Sequence, residues 1–261
     1  NNIGNVYNDW GQYDKAIKYY EEALAIDRRL GQEGGVAIRL NNIGNVYHNW
    51  GQYDKAIKYY EEALAIARKL GLEGYVATCL NNIGSVYDSW GQYDKAIKYY
   101  EEALAIDRRL GQEGGVAVDL NNIGNVYNDW GQYDKAIKNH EEALAINKRL
   151  GKEAGVATDL NSIGRVYNSW GKYDKAIEYY KEALATFKKL GQEGNDASLL
   201  NNIGVVYYYW GKYDKAIKYF EEALDTFKKF GLEGFIATCL SNIGESYYLQ
   251  GKYKTAIKYF T

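Results

Sequence analysis

The sequence returns to itself every 40 residues, and that limits the chain to architectures in which one short unit stacks on the next. Asn1-Asn2-Ile3-Gly4 recurs as Asn41-Asn42-Ile43-Gly44, Asn81-Asn82-Ile83-Gly84, Asn121-Asn122-Ile123-Gly124 and Asn201-Asn202-Ile203-Gly204. Asn161-Ser162 and Ser241-Asn242 are the variants. Six full units are followed by a half unit from Ser241 to Thr261, with no slip in the period. No linker or change of composition divides the chain, so a single array over residues 1–261 is expected.

Each unit carries two helical patterns. Val36, Ala37, Leu40, Ile43, Gly44, Tyr47 and Trp50 have the spacing of one helix face, defining helix A. After a short turn at Gly51-Gln52-Tyr53, Asp54 is placed to cap helix B, whose apolar face is Ala56, Ile57, Tyr60, Ala63, Leu64 and Ile66. Arg68 and Lys69 suit the negative end of the helix dipole, and Gly71 can take the left-handed conformation that ends helix B. Neither helix buries its apolar face alone. The pairs must therefore stack, which predicts an all-α fold, an α-solenoid of helix–turn–helix units.

Leu40, Ile43, Gly44, Tyr47, Ala56, Tyr60 and Ala63 match in type and spacing the signature of the tetratricopeptide repeat family, which the chain resembles over its whole length. The resemblance implies a right-handed α-solenoid and a binding module. Two departures stand out: the unit has 40 residues rather than 34, and the proline that commonly ends helix B is absent, as the chain has none. The longer unit is similar to those of spindle-orientation adaptors, kinesin light chains and sensor arrays of some prokaryotic signalling ATPases. A shared fold does not fix a function.

Comparing the units with one another shows where they vary. Repeats one and three differ at five positions, Asn5 against Ser85, Asn8 against Asp88, Asp9 against Ser89, Ile38 against Val118 and Arg39 against Asp119, all on helix A. The positions equivalent to 38, 42, 45 and 49 share one helix face, and in the family that face lines the concave groove. Drift of exposed positions is the competing account. Against it, Lys15, Lys18, Tyr19, Glu21 and Glu22 should be exposed on helix B and are unchanged between these two units.

The expected groove is rich in asparagine: Asn2, Asn5, Asn42, Asn45, Asn49, Asn82, Asn122, Asn125, Asn128, Asn168, Asn202 and Asn242. An amide both donates and accepts, so a ladder of amides can satisfy the backbone of an extended peptide. His48, Asp88, Asp129 and Arg165 fall at the same positions in other repeats. Toward the C-terminal end these positions become Val205, Tyr208, Tyr209, Tyr248 and Leu249, an aromatic and aliphatic cluster suited to anchoring a partner. Asp9, Asp88, Asp129 and Glu245 outnumber Arg165, which favours a neutral or basic ligand with an apolar anchor.

Other chemistry finds little support. The lysine-type positions of the carboxylate clamp used by chaperone-binding members hold Asn41, Asn81, Ile38 and Thr78. His48 and His140 lie on different helices, and no metal or cofactor site is expected. Nucleophile, base and orienting group do not converge, so no enzyme is expected. The recurrent tryptophans, Trp10 through Trp210, read as packing residues at the end of helix A. Basic and acidic residues nearly balance, 32 against 34, without a basic stretch, which argues against nucleic acid. Apolar runs are too short for a membrane span. Cys79 and Cys239, four repeats apart, should remain free thiols, which suits a cytoplasmic setting. With no methionine, the sequence reads as a segment of a longer protein. The expected function is a protein-interaction scaffold that holds a peptide or helix in the groove. The alternative is a structural spacer or rod that self-associates end to end.

Overall fold

The apolar spacing of each unit produces two helices and nothing else. The computed structural model describes residues 2–260, without the side chain of Asn2, and contains fourteen helices and no strand among the described residues. They are α1 (Asn2–Asp9), α2 (Tyr13–Arg29), α3 (Glu33–Asn49), α4 (Tyr53–Lys69), α5 (Glu73–Ser89), α6 (Tyr93–Leu110) and α7 (Glu113–Asp129), then α8 (Tyr133–Arg149), α9 (Glu153–Ser169), α10 (Tyr173–Lys189), α11 (Glu193–Tyr209), α12 (Tyr213–Lys229), α13 (Glu233–Leu249) and α14 (Tyr253–Phe260). The odd-numbered helices are the A helices and the even-numbered ones the B helices.

The chain forms two compact units, Asn1–Trp130 and Gly131–Thr261. Within each, every helix packs on its neighbour in sequence, and A helices also touch directly, α3 on α5 in the first unit and α11 on α13 in the second. Each unit is thus an α-solenoid of stacked helix pairs. The core is the repeated set anticipated from the spacing: Leu40, Ile43, Leu80 and Ile83 are fully buried in the first unit, and Leu160, Ile163 and Ile203 in the second.

Close helix crossing is set by Gly44. A Cβ there would lie 2.7 Å from the ring of Tyr60, so any larger residue would push helices A and B apart. Helix B ends as expected, on Gly71 in the left-handed conformation (φ 68°). Two expectations need correction. Helix B begins at Tyr53, and Gln52 occupies the cap position with no side-chain cap bond. Asp54 therefore lies inside the first turn and favours the helix through its charge beside the dipole. Helix A begins at Glu33, earlier than the apolar pattern shows, and runs through Gly34-Gly35. The reason for Gly35 is space, because a Cβ there would meet the Asp27 carboxylate at 2.8 Å.

The tryptophans join successive pairs. Trp50 packs on Tyr13 at 5.6 Å between ring centroids and Trp90 on Tyr53 at 5.8 Å, each reaching back to the start of the preceding helix B. Trp170 and Trp210 repeat the contact with Tyr133 and Tyr173. Cys79 and Cys239 are both unbonded and buried. Burial pushes their thiols up, to about 12 and about 11.

Candidate functional site: the face of the A helices

In each unit the A helices lie side by side, and their contact follows one register, in which a residue meets the one 41 positions later. Asn82 Nδ2 donates to Asn41 Oδ1 at 2.8 Å, Asn49 Nδ2 to Asn8 Oδ1 at 3.2 Å, and His48 Nε2 lies 3.0 Å from Ser89 Oγ. The second unit repeats it, with Asn202 donating to Asn161 at 3.2 Å and Asn242 to Asn201 at 3.3 Å. These asparagine amides tie neighbouring A helices together. Asn8, Asn41, Asn161 and Asn201, outside the expected groove set, are the acceptors. Each amide keeps a second N–H and further acceptor capacity for a ligand.

The expected site residues divide by environment. Asn5 and Asn45 each accept a hydrogen bond from a tyrosine hydroxyl of helix B, Tyr20 and Tyr60, the latter at 2.6 Å. They are therefore tied to the core. Asn42, Asn82, Asn122, Asn125, Asn168, Asn202 and Asn242 are half-buried, as are His48 and Asp88. Asn128 is buried, and its Nδ2 donates to the exposed Asp129 at 3.1 Å. Asn49 and Arg165 are exposed. Burial pulls the His48 pKa down, which favours the neutral imidazole at neutral pH. The side chain of Asn2 lies outside the described residues.

A hollow of about 280 Å³ opens on this face in the second unit, lined by Thr158, Asn161, Asn195, Ser198 and Asn202 over Phe187 and Leu199. Its polar groups are neutral and partly engaged: Thr158 and Ser198 donate back to Ala154 O and Gly194 O of their own helices, and Asn195 donates to Gln192, which leaves acceptor lone pairs and the second amide hydrogens uncommitted. Thr158, Asn195 and Ser198 were not among the expected residues. The signal for them was their place at the variable positions 38 and 35 of the repeat.

The aromatic end of the second unit has two parts. Tyr208 is half-buried, donates to Glu245 Oε2 at 3.2 Å and packs edge-on against Tyr209 and Tyr213. Burial, then the Glu245 charge, raises its pKa. Val205 is half-buried beside them in sequence, while Tyr209, Tyr248 and Leu249 are 63%, 56% and 47% exposed. Tyr248 leans on Tyr253 at 5.4 Å. Among the described residues no group of three or more histidine, cysteine or carboxylate side chains is placed to hold a metal ion, and no helix is long and apolar enough to cross a membrane.

This fold and face define a helical-repeat protein, and the tetratricopeptide repeat family profile matches residues 1–69, 37–109, 117–189 and 195–261. The chain belongs to the tetratricopeptide repeat family. No curated protein matches it. Among solved structures, BtubC (BKLC) from P. vanneervenii is 26% identical with a TM-score of 0.72, over 84% of this chain and 92% of that one. The nearly identical TPR-like repeats assigned to a Podosopora anserina kinesin light chain are 18% identical with a TM-score of 0.62, over 73% and 94%. A Rap protein complexed with competence and sporulation factor is 21% identical with a TM-score of 0.68, over 99% and 71%.

Proposed function

We propose that the chain is a protein-interaction scaffold that holds a peptide or helix of a partner along the face of its A helices. The observation that carries this reading is the hollow lined by Thr158, Asn161, Ser198 and Asn202, whose neutral polar groups keep acceptor and amide capacity beside Phe187 and Leu199. Such a lining can hydrogen-bond a peptide backbone while burying one apolar side chain. The Rap protein structure with a bound factor supports the reading by likeness of fold. Exposed Tyr209, Tyr248 and Leu249 supply an apolar anchor, and Glu245 in the same unit favours a neutral or basic ligand.

The test is selection of peptides from a displayed random library on the 261-residue chain, followed by measurement on the variant Thr158→Trp/Ser198→Trp, which fills the hollow. Selected peptides should lose at least about tenfold in affinity, the size of one lost anchor. Equal binding to both proteins would place the site elsewhere.

A second reading is a rod that stacks end to end. The near identity of the units, with repeats one and three differing at five positions, would let the stacking continue from one chain to the next. Sedimentation over a concentration series decides it, since stacking would raise the mass with concentration.

A further inference from the structure

In the second unit the tryptophan that closes helix A is covered by a lysine two residues later. Lys172 Nζ sits 3.0 Å from the ring centroid of Trp170, and Lys212 Nζ 3.0 Å from that of Trp210. In the first unit the same position holds Gln12, Gln52 and Gln92, and Trp50 and Trp90 stay 38% and 40% exposed. Each of these two indoles rests on a tyrosine, Tyr13 or Tyr53, that is followed directly by an exposed carboxylate, Asp14 or Asp54. The last step of the second unit shows how far such a carboxylate reaches. Asp214 accepts a hydrogen bond from Gln250 at 2.8 Å and has Lys252 Nζ at 3.9 Å, and these are the positions equivalent to Trp90 and Gln92. The indole contact and the carboxylate contact are thus seen at different steps of the same row, the first at Trp170 and Trp210 and the second where Gln250 replaces the tryptophan.

We propose that the Trp50 and Trp90 faces of the first unit are seats for arginine or lysine side chains of a partner protein, seats that the second unit fills with its own lysines. The surface is the row of A–B turns, apart from the groove, so the inference does not depend on the groove reading. An indole attracts a cation through the negative face of its ring, and a guanidinium stacks on it as well. At the next tryptophan of the row, Trp130, a hollow of about 280 Å³ is lined by Gln92, Tyr93, Asp94 and Lys95. Lys95 itself is engaged over the Tyr87 ring at 5.1 Å. Trp50 and Trp90 end the adjacent helices α3 and α5, whose axes should be roughly 10 Å apart. An extended chain rises about 3.3–3.6 Å per residue, so cations three residues apart match the seats, and two weak contacts then act together.

The probe is a synthetic peptide of four Arg-Gly-Ser triplets, with Gln-Gly-Ser triplets as the control, followed by tryptophan fluorescence and calorimetry at low salt. The arginine peptide should bind saturably. The variant Gln52→Lys/Gln92→Lys, which copies the second unit, should weaken it about tenfold, the sum of two exposed cation–π contacts. The variant Gln32→Lys/Gln112→Lys adds the same charge at exposed positions of the other turns and should bind within about twofold of the parent. Circular dichroism confirms that both variants fold, as lysine at 172 and 212 leads one to expect. No binding, equal binding of the glutamine peptide, or an equal loss in both lysine variants would overturn the proposal.

Discussion

The hydroxyl of Tyr60, a residue 1% exposed, donates to Asn45 Oδ1 at 2.6 Å, so a residue on the face of an A helix is also the polar partner of a core tyrosine. The pairing recurs fifteen residues apart. Tyr20 donates to Asn5, Tyr100 bonds Ser85, and where the core ring is Phe220 the partner position is Val205. The Val205 and Phe220 pair lacks both the acceptor and the hydroxyl, whereas Glu245 stands opposite Phe260 and Arg165 opposite Tyr180, so the exchange is a property of that one pair.

Asn45→Ala is therefore expected to destabilise the chain by about 1–3 kcal/mol, the cost of leaving a buried hydroxyl without its acceptor. Asn45→Val with Tyr60→Phe, copying Val205 and Phe220, should recover most of that loss. Chemical denaturation of the two single variants and the double gives the coupling directly. Simple addition of the single effects would show that the hydrogen bond is not what links the positions.

Much of the architecture was legible because it is periodic. The 40-residue repeat, the two helices, Gly44 at the crossing, Gly71 at the helix end and the role of the tryptophans all follow from residues that recur in nearly every unit. The misreadings lie where two helices constrain each other. The start of helix A at Glu33 was hidden by Gly34-Gly35, poor helix formers, of which Gly35 is required by the close approach of Asp27 and Gly34 has open space around it. The helical spacing placed Asn45 on the expected groove face but could not show its bond to Tyr60. The joint change at Val205 and Phe220 was present in the sequence, but as a pairing between positions rather than as a period.

A second interhelix pairing carries charge. Arg39 Nε lies 2.9 Å from Asp27 Oδ2, and Asn147 Nδ2 donates to Asp159 at 2.7 Å, but the equivalent residues of α6 and α7 are Asp107 and Asp119, both acidic and both buried. Asn81 on α5 donates to Asp119 Oδ1 at 2.7 Å, Oδ2 has no hydrogen-bond partner, and Tyr100 of α6 lies near. Burial first, and then the Asp107 charge, push the Asp119 carboxyl up to about 7 against the Asn81 hydrogen bond. The folded state thus holds a proton that the unfolded state releases near pH 4. The stabilisation is full below that pH and is lost as pH rises toward 7, with an upper bound on the order of 4 kcal/mol. Asp119→Asn should be the more stable protein at pH 7 and should flatten this decline. An unchanged slope in unfolding experiments from pH 4 to pH 7 would remove Asp119 as its source.

The second unit carries the opposite dependence. His140 is wholly buried on α8, where Tyr60, Tyr100 and Tyr180 stand in other repeats, and burial, with the Arg165 charge, lowers its pKa to about 4. The unfolded chain takes up a proton near pH 6.5 that the folded chain refuses, so stability falls as pH drops from there toward 4. His140→Tyr is expected to gain most at acid pH and to remove that part of the acid loss. Thermal unfolding at pH 5 and pH 8 is the check, and an equal gain at both would point to packing alone.

The last expectation separates anchoring from folding in the aromatic cluster. Tyr208 is half-buried and bonded to Glu245, so its removal disturbs the contact between α11 and α13. Tyr209 and Tyr248 are mostly exposed, and their hydrophobic area is available to a partner. Tyr209→Ser/Tyr248→Ser should leave the melting temperature nearly unchanged, as exposed substitutions typically do. The same double change should weaken library-selected peptides by about 2 kcal/mol, close to thirtyfold, if the two rings are anchors of the usual strength. Adding Tyr208→Ser should then lower stability as well, because Glu245 loses its donor. Isothermal titration gives the affinities and scanning calorimetry the stabilities. If the double variant binds as tightly as the parent, the polar hollow at Asn161 and Asn202 carries the affinity and the tyrosines do not. If an acidic peptide is preferred, the reading of the ligand as neutral or basic fails, since Glu245 would then oppose it.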